Sequence, residues 1–166
     1  MGTVIFKVEK VFEETFGGLT ISGQDDLNFG YGDERELDAI IVGKSMNQKK
    51  AYPLLWYKMP NNVTNNPLMG YCEGSFTFIL AHNTKLDWFN DQRFENVYEA
   101  ILYPYLEEIL KAIGKSNRIS SEDGAYSSTN YPNYSKSITA SSSERVDYWD
   151  AIELNIDLKI NNGINC

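Results

Sequence analysis

Apolar residues in the stretch 93–114, RFENVYEAILYPYLEEILKAIG, recur at three- and four-residue spacings: Phe94, Val97, Tyr98, Ile101, Leu102, Tyr105, Leu106, Ile109, Leu110 and Ile113. That period places them on one broad face and predicts a long amphipathic helix. Asn90 or Asp91 suits its start, and Lys111, Lys115 and Arg118 suit the negative end of the helix dipole around a stop at Gly114. Pro104 lacks a backbone donor, so a kink is expected at Tyr103-Pro104; without it Glu108 falls among the apolar positions. A period of two governs other stretches. In 146–160, Ile152, Leu154, Ile156, Leu158 and Ile160 alternate with Glu153, Asn155, Asp157 and Lys159, the pattern of a long strand with one buried and one wet face. In 70–82, Cys72, Phe76, Phe78 and Leu80 alternate with Glu73, Ser75 and Thr77. This strand is expected to pair antiparallel with one at 51–57, where Pro53 stands near the start, and with the final strand.

The remaining segments carry weaker patterns. Ile5, Val8, Val11, Phe12 and Phe16 have helical spacing between Thr3 and a Gly17-Gly18 stop, with a strand over the β-branched first residues as the alternative. Residues 19–32 are Gly-rich and read as an extended, ordered loop. Asp33-Glu34-Arg35-Glu36 has the form of a capping box, and Leu37, Ile40 and Ile41 follow as the inner face of a short helix ending near Gly43. NNVTNNP, 61–67, reads as a loop. Residues 116–143 are dominated by Ser, Tyr and Asn with almost no aliphatics, which predicts a flexible loop or an arm that orders on a partner. The expected fold is α+β: a single domain over residues 1–166, an antiparallel sheet of about four strands, helices packed on one face, and a long polar loop before the last strand.

Composition narrows the function classes. A chain of 166 residues suffices for one domain that buries roughly 70% of its unfolded surface. Its net charge of −8 argues against a surface that grips nucleic acid or an anionic membrane, though not against one past which DNA slides. No apolar run approaches the roughly 20 residues of a membrane span, and no basic-then-apolar signal pattern opens the sequence, so a cytosolic protein, or one assembled in a cytosol, is expected. Cys72 in a strand and Cys166 at the last position do not suggest a structural disulfide. The sequons at Asn62 and Asn133 carry little weight without a secretion signal.

Catalytic chemistry finds few candidates. His82 is the sole histidine and has no sequence neighbour to orient it, so it reads as a surface residue at a strand end. One His and two distant Cys cannot furnish a zinc set, and no phosphate loop, dinucleotide fingerprint or calcium loop occurs. Gly30-Tyr31-Gly32 precedes a helix start, but Asp33-Glu34 would repel an anion there. Asp25-Asp26 and Asp33-Glu34 read as solvated acids. Glu153 and Asp157 lie on one strand face roughly 13 Å apart, too far for a glycosidase pair, and read as an exposed acidic stripe. No cofactor is implied. Three Trp and eleven Tyr are more informative, because these side chains serve protein interfaces and sugar platforms as well as cores. Core packing is the ordinary reading of Trp56, Trp88 and Trp149; the candidate interface residues weighed against it are Trp56, Trp88, Tyr103, Tyr126, Tyr131, Tyr134 and Trp149.

Phe29-x-Tyr31-Gly32 with Glu36-Leu37, then Tyr52-Pro53-Leu54-Leu55-Trp56, Phe76-Thr77-Phe78-Ile79-Leu80, Arg93-Phe94-Glu95 and Leu102-Tyr103-Pro104, together resemble a family of small virion proteins. These occur in tailed bacteriophages of Bacteroidetes and are similar to tail-terminator, tail-completion and neck-ring proteins. The resemblance covers roughly residues 28–114 and the returning C-terminal strand. It implies a non-enzymatic virion subunit that forms a homo-oligomeric ring at the head–tail connection. Its neighbours would be portal or connector and tail proteins, with DNA only passing through the lumen and no membrane contact. The long 116–143 insertion departs from that pattern. A carbohydrate-binding module using Trp56, Trp88 or Trp149 is the alternative from another class, and an enzyme with His82 as its base is the third.

Overall fold

The computed structural model describes residues 6–37, 39, 52–59, 61–134 and 148–161. In chain order the elements are α1 (Val8–Phe16), β1 (Asn28–Gly32), β2 (Leu54–Lys58), β3 (Val63–Asn66), β4 (Tyr71–Thr84), a long helix α2 spanning residues 90–115, β5 (Ile119–Ser120), β6 (Tyr126–Tyr131) and β7 (Tyr148–Asn161). The two alternating stretches form the centre. β4 and β7 pair antiparallel along their whole length, from Tyr71↔Asn161 to Thr84↔Tyr148. Beyond β7, the other edge of β4 carries β3 against residues 71–74 and β2 against residues 77–81. The other edge of β7 carries β6 against 151–156 and β5 against 159–160.

The expected α+β class holds, but the sheet is larger than four strands and mixed. Among the described residues it has seven strands, and β1 joins β2 in parallel. Three stretches expected as loop supply four further strands. Residues 28–32, expected as loop, form β1. Residues 63–66, also expected as loop, form a hairpin with β4, because Val63 has the core to pack against. Within 116–134, expected as a polar loop, β5 and β6 pair with the free edge of β7. Backbone pairing needs no apolar side chain, so aliphatic content undercounted these strands. Residues 135–143 of that loop lie outside the described residues, as do residues 40 and 41 of the short helix and the first residues of the expected N-terminal helix.

One face of the sheet carries the main core. Phe76, Phe78 and Leu80 of β4 and Ile152, Leu154, Ile156, Leu158 and Ile160 of β7 meet Phe12 and Phe16 of α1 and Val97, Leu102, Tyr105 and Ile109 of α2. Each such side chain contributes about 1.5–3 kcal/mol on burial. Phe12 anchors α1, with ring contacts to Phe16, Tyr57, Phe76 and Phe78. α1 ends as expected at Gly17, whose N–H still bonds Glu13 O at 2.9 Å. The opposite face is not left bare. A second, smaller core of Leu37, Tyr52, Leu54, Trp56, Ile79, Ala81, Tyr134, Trp149 and Ala151 covers one end of it, so apolar packing is not confined to the face that carries α1 and α2. Leu37 reaches it from a helical turn at 34–37. That turn has the anticipated capping box: Glu36 N–H donates to Asp33 Oδ1 (2.9 Å) and Asp33 N–H to Glu36 Oε2 (2.8 Å).

α2 handles Pro104 by changing register. An α turn, Asn90–Arg93, leads into a π-helical stretch, Phe94–Leu102, and α-helix resumes at Tyr103–Lys115 with proline in its first turn. Tyr103 N–H bonds Tyr98 O, five residues back. The carbonyls a residue-104 donor would have served, those of Glu99 or Ala100, belong to exposed residues where water reaches them. Asn90 is the first helical residue rather than the cap; Gln92 Oε1 instead accepts from Phe89 N–H at 3.2 Å.

Candidate functional site

The seven aromatic candidates do not form one surface. Trp56, Trp149 and Tyr134 are buried in the second core, which corrects their assignment as interface residues. Trp56 lies across β1, which explains two glycines: a Cβ on Gly30 would stand 2.6 Å from Trp56 Cζ3 and one on Gly32 2.9 Å from Trp56 Cζ2. The indole Nε1–H donates to Gly32 O at 3.1 Å, so its one polar atom is satisfied. Trp149 packs edge-on against Tyr134 (5.3 Å), which in turn meets Tyr131 (5.6 Å). Tyr103 is half-buried and accepts a hydrogen bond from Asn130 Nδ2 at 2.8 Å, tying β6 to α2. Only Tyr126 and Tyr131, both on β6, are exposed, and alternation puts them on opposite faces of the sheet. Trp88 is half-buried, its ring packed on the core under Lys85 Nζ at 5.0 Å. Two of the three Trp are thus removed from any sugar platform.

The expected acidic stripe is a hydrogen-bonded ladder on the wet face. Ser75 Oγ donates to Asp157 Oδ1, Thr77 Oγ1 to Asn155 Oδ1 at 2.6 Å, and Asn155 Nδ2 to Glu153 Oε1 at 3.3 Å. Asp157 is exposed and Glu153 half-buried. A cavity of about 370 Å³ beside it is bordered by Glu73, Glu122, Asp123, Asp157 and Lys159. Among the described residues no group of three or more His, Cys, Asp or Glu is placed to hold a metal ion.

His82 stands at the end of β4 as expected but is half-buried rather than free on the surface. Burial lowers its pKa, against weaker upward effects of the Asn83 carbonyl, Asp25 and Asp150. Its ring lies 5.8 Å from that of Tyr52, and Nδ1 is 2.9 Å from Asn83 O, so that nitrogen donates to the backbone. Cys72 is buried, which pushes its thiol up to about 11 and keeps it from acting as a thiolate at neutral pH.

One polar centre escaped the sequence reading. Arg93 and Asp150 are both buried, with Arg93 Nη1 2.8 Å from Asp150 Oδ1. Arg93 also donates from Nε to Trp88 O (2.9 Å) and from Nη2 to Lys85 O (3.1 Å), while Asn133 N–H donates to Asp150 Oδ1 (2.9 Å). The pair therefore fixes two surface segments, 85–89 and 131–134, to β7. A signal was present, since Asp150 falls in phase with Ile152, Leu154 and Ile156, a carboxylate on the inward face of the strand.

The surface also exposes large apolar side chains. Leu68 is 95% and Met69 71% exposed on the turn between β3 and β4; Phe89 is 81% and Leu86 50% exposed in the segment between β4 and α2. Phe94, expected on the buried face of α2, is 44% exposed and packs on Tyr98 and Tyr103. No helix among the described residues is long and apolar enough to cross a membrane. No protein-family model matches the chain, and no curated protein matches it.

Proposed function

We propose that this protein is a non-enzymatic virion subunit that assembles with copies of itself into a ring at the head–tail connection of a tailed phage, around the path of the DNA. The observation that carries the assembly part of this reading is the set of exposed apolar side chains Leu68, Met69, Leu86 and Phe89 on a chain whose net charge is −8. Exposed side chains of this size, gathered at particular places, are the mark of a contact surface. The virion setting comes from the sequence resemblance, and the acidic balance suits a lumen that lets phosphates pass. Portal or connector and tail proteins are the neighbours this reading requires.

The test is placement in particles. Purified virions should contain the protein, and electron microscopy of the neck should show it as a closed ring of equivalent copies. A His82→Ala virus should form complete, infectious particles. Complete particles that have lost infectivity through His82→Ala would move the enzyme reading to first place.

A further inference from the structure

The four most exposed large apolar residues among those described, Leu68, Met69, Leu86 and Phe89, sit at the two ends of one strand. β4 runs from Tyr71 to Thr84, about 45 Å at the rise of an extended chain. At its start is the hairpin turn that carries Leu68 and Met69 outward. At its finish the chain borders an open depression of about 770 Å³, lined by Leu86, Trp88 and Phe89 together with the polar Asp87, Asn90, Asp91, Arg93 and Asn133. One end is a knob and the other a hollow.

Both are held in shape before any contact is made. At the knob, Met69 N–H donates to Asn66 O (3.2 Å) and Asn66 Oδ1 (3.3 Å), and Gly70 turns the chain at a φ of +73°. At the hollow, Arg93 holds the carbonyls of Lys85 and Trp88 and is itself anchored by Asp150. Such preorganisation lowers the ordering cost of association. Charge does not oppose the contact. No charged residue occurs from Asn61 to Cys72 in a chain whose net charge is −8, so the knob can approach the acidic rim of the hollow without the repulsion that most of this surface would meet.

We propose that the knob of one copy, Leu68 and Met69, seats in the Leu86–Trp88–Phe89 hollow of a second copy, joining subunits head to tail along the direction of β4. This names the joint of the ring proposed above and rests on that reading for its biological setting. The two halves lie at opposite ends of the molecule, so neither can satisfy the other within one chain. A two-fold pair that exchanged knob and hollow reciprocally would close at the dimer. Joined head to tail along β4, knob in hollow is heterologous, and repeating it gives a ring if the rotation closes and a filament if it does not.

The contact is tested by two variants and their mixture. The first combines Leu68→Asp with Met69→Asp, and the second is Phe89→Asp; these side chains are exposed, so both proteins should melt like the wild type. In sedimentation velocity over a concentration series, wild-type protein should self-associate, and each variant should do so about thirty-fold more weakly or worse. The knob variant keeps its hollow and the Phe89 variant keeps its knob, so mixing them should give a 1:1 pair that grows no further. Association of either variant at wild-type strength overturns the joint while leaving the ring to be judged in particles. So does a mixture that stays monomeric, or a wild type that does not associate at several hundred micromolar. Wild-type filaments lost in both variants would uphold the joint and refute the closed ring.

Discussion

At the residue scale, the buried carboxylate of Asp150 ties surface segments to β7. It neutralises Arg93 and takes the Asn133 N–H, so two loops depend on one carboxylate. Asp150→Asn leaves the buried guanidinium without a counter-charge, which costs about 3–5 kcal/mol. Thermal melting should then fall by roughly 6–20 °C for a chain of this size; a variant melting within a degree or two of wild type would show that the pair is dispensable. His82 makes a pH-dependent contribution of definite sign. Its pKa is lowered in the fold by burial, so below the ordinary value of 6.5 the unfolded chain takes up a proton that the native chain refuses. Stability from this group is therefore present above pH 6.5 and is lost as pH falls through the depressed value. A His82→Gln protein should lose less melting temperature than wild type between pH 7 and pH 5, and parallel curves would place the acid sensitivity elsewhere.

At the scale of elements, β1 exists in its present position because Trp56 lies on it. Gly30→Ala puts a Cβ within 2.6 Å of an indole that cannot move far while its Nε1–H holds Gly32 O. Overpacking of this kind costs about 1–3 kcal/mol. Thermal melting should show that loss, and replacing Trp56 by Leu in the same chain should remove most of the Gly30→Ala increment. β7 offers a harsher test. Ile156 is 4% exposed, paired with Phe76 on one side and Tyr126 on the other, and faces the main core. Ile156→Asp buries an unpaired charge and should abolish folding, at a cost of several kcal/mol; a soluble variant that melts cooperatively would mean the faces of β7 are reversed.

For the whole molecule, the main core sets the alkaline limit of stability. Burial, with smaller help from Glu9 and Cys72, pushes Tyr57 from 10.0 up to about 12, and burial alone takes Cys72 from 9.0 up to about 11. Above the unfolded values the denatured chain releases protons that the native core retains, so the stability these groups contribute is intact below about pH 9 and disappears as pH rises through 11 and 12. Tyr98 and Tyr134, also raised mainly by burial, act in the same direction. Melting temperature should fall steeply between pH 9 and pH 11. Tyr57→Phe, which cannot ionise, should soften the part of that fall above pH 10, and an unchanged profile would exclude Tyr57 as a cause.

Elements whose side chains obey a period were legible in the chain alone. The phases of β4 and β7, the apolar face of α2 and the capping box at Asp33 are local consequences of where apolar and capping residues fall, and they need no knowledge of neighbours. Composition also leaves one histidine and two separated cysteines, too few for a zinc set of nitrogen and sulfur ligands. Tertiary structure alone decided the rest. β1, β3, β5 and β6 form because the free edges of β2, β4 and β7 supply backbone partners, and no local pattern announces that. Trp56, Tyr134 and Trp149 have the side chains of interface residues, and only the second core on the far face of the sheet makes them interior. Arg93 and Asp150 lie 57 residues apart in the chain, and a buried ion pair at that separation follows from the packing of α2 on β7. The same holds for the surface: Leu68 and Phe89 become two ends of one molecule only because fourteen residues of extended β4 hold them apart.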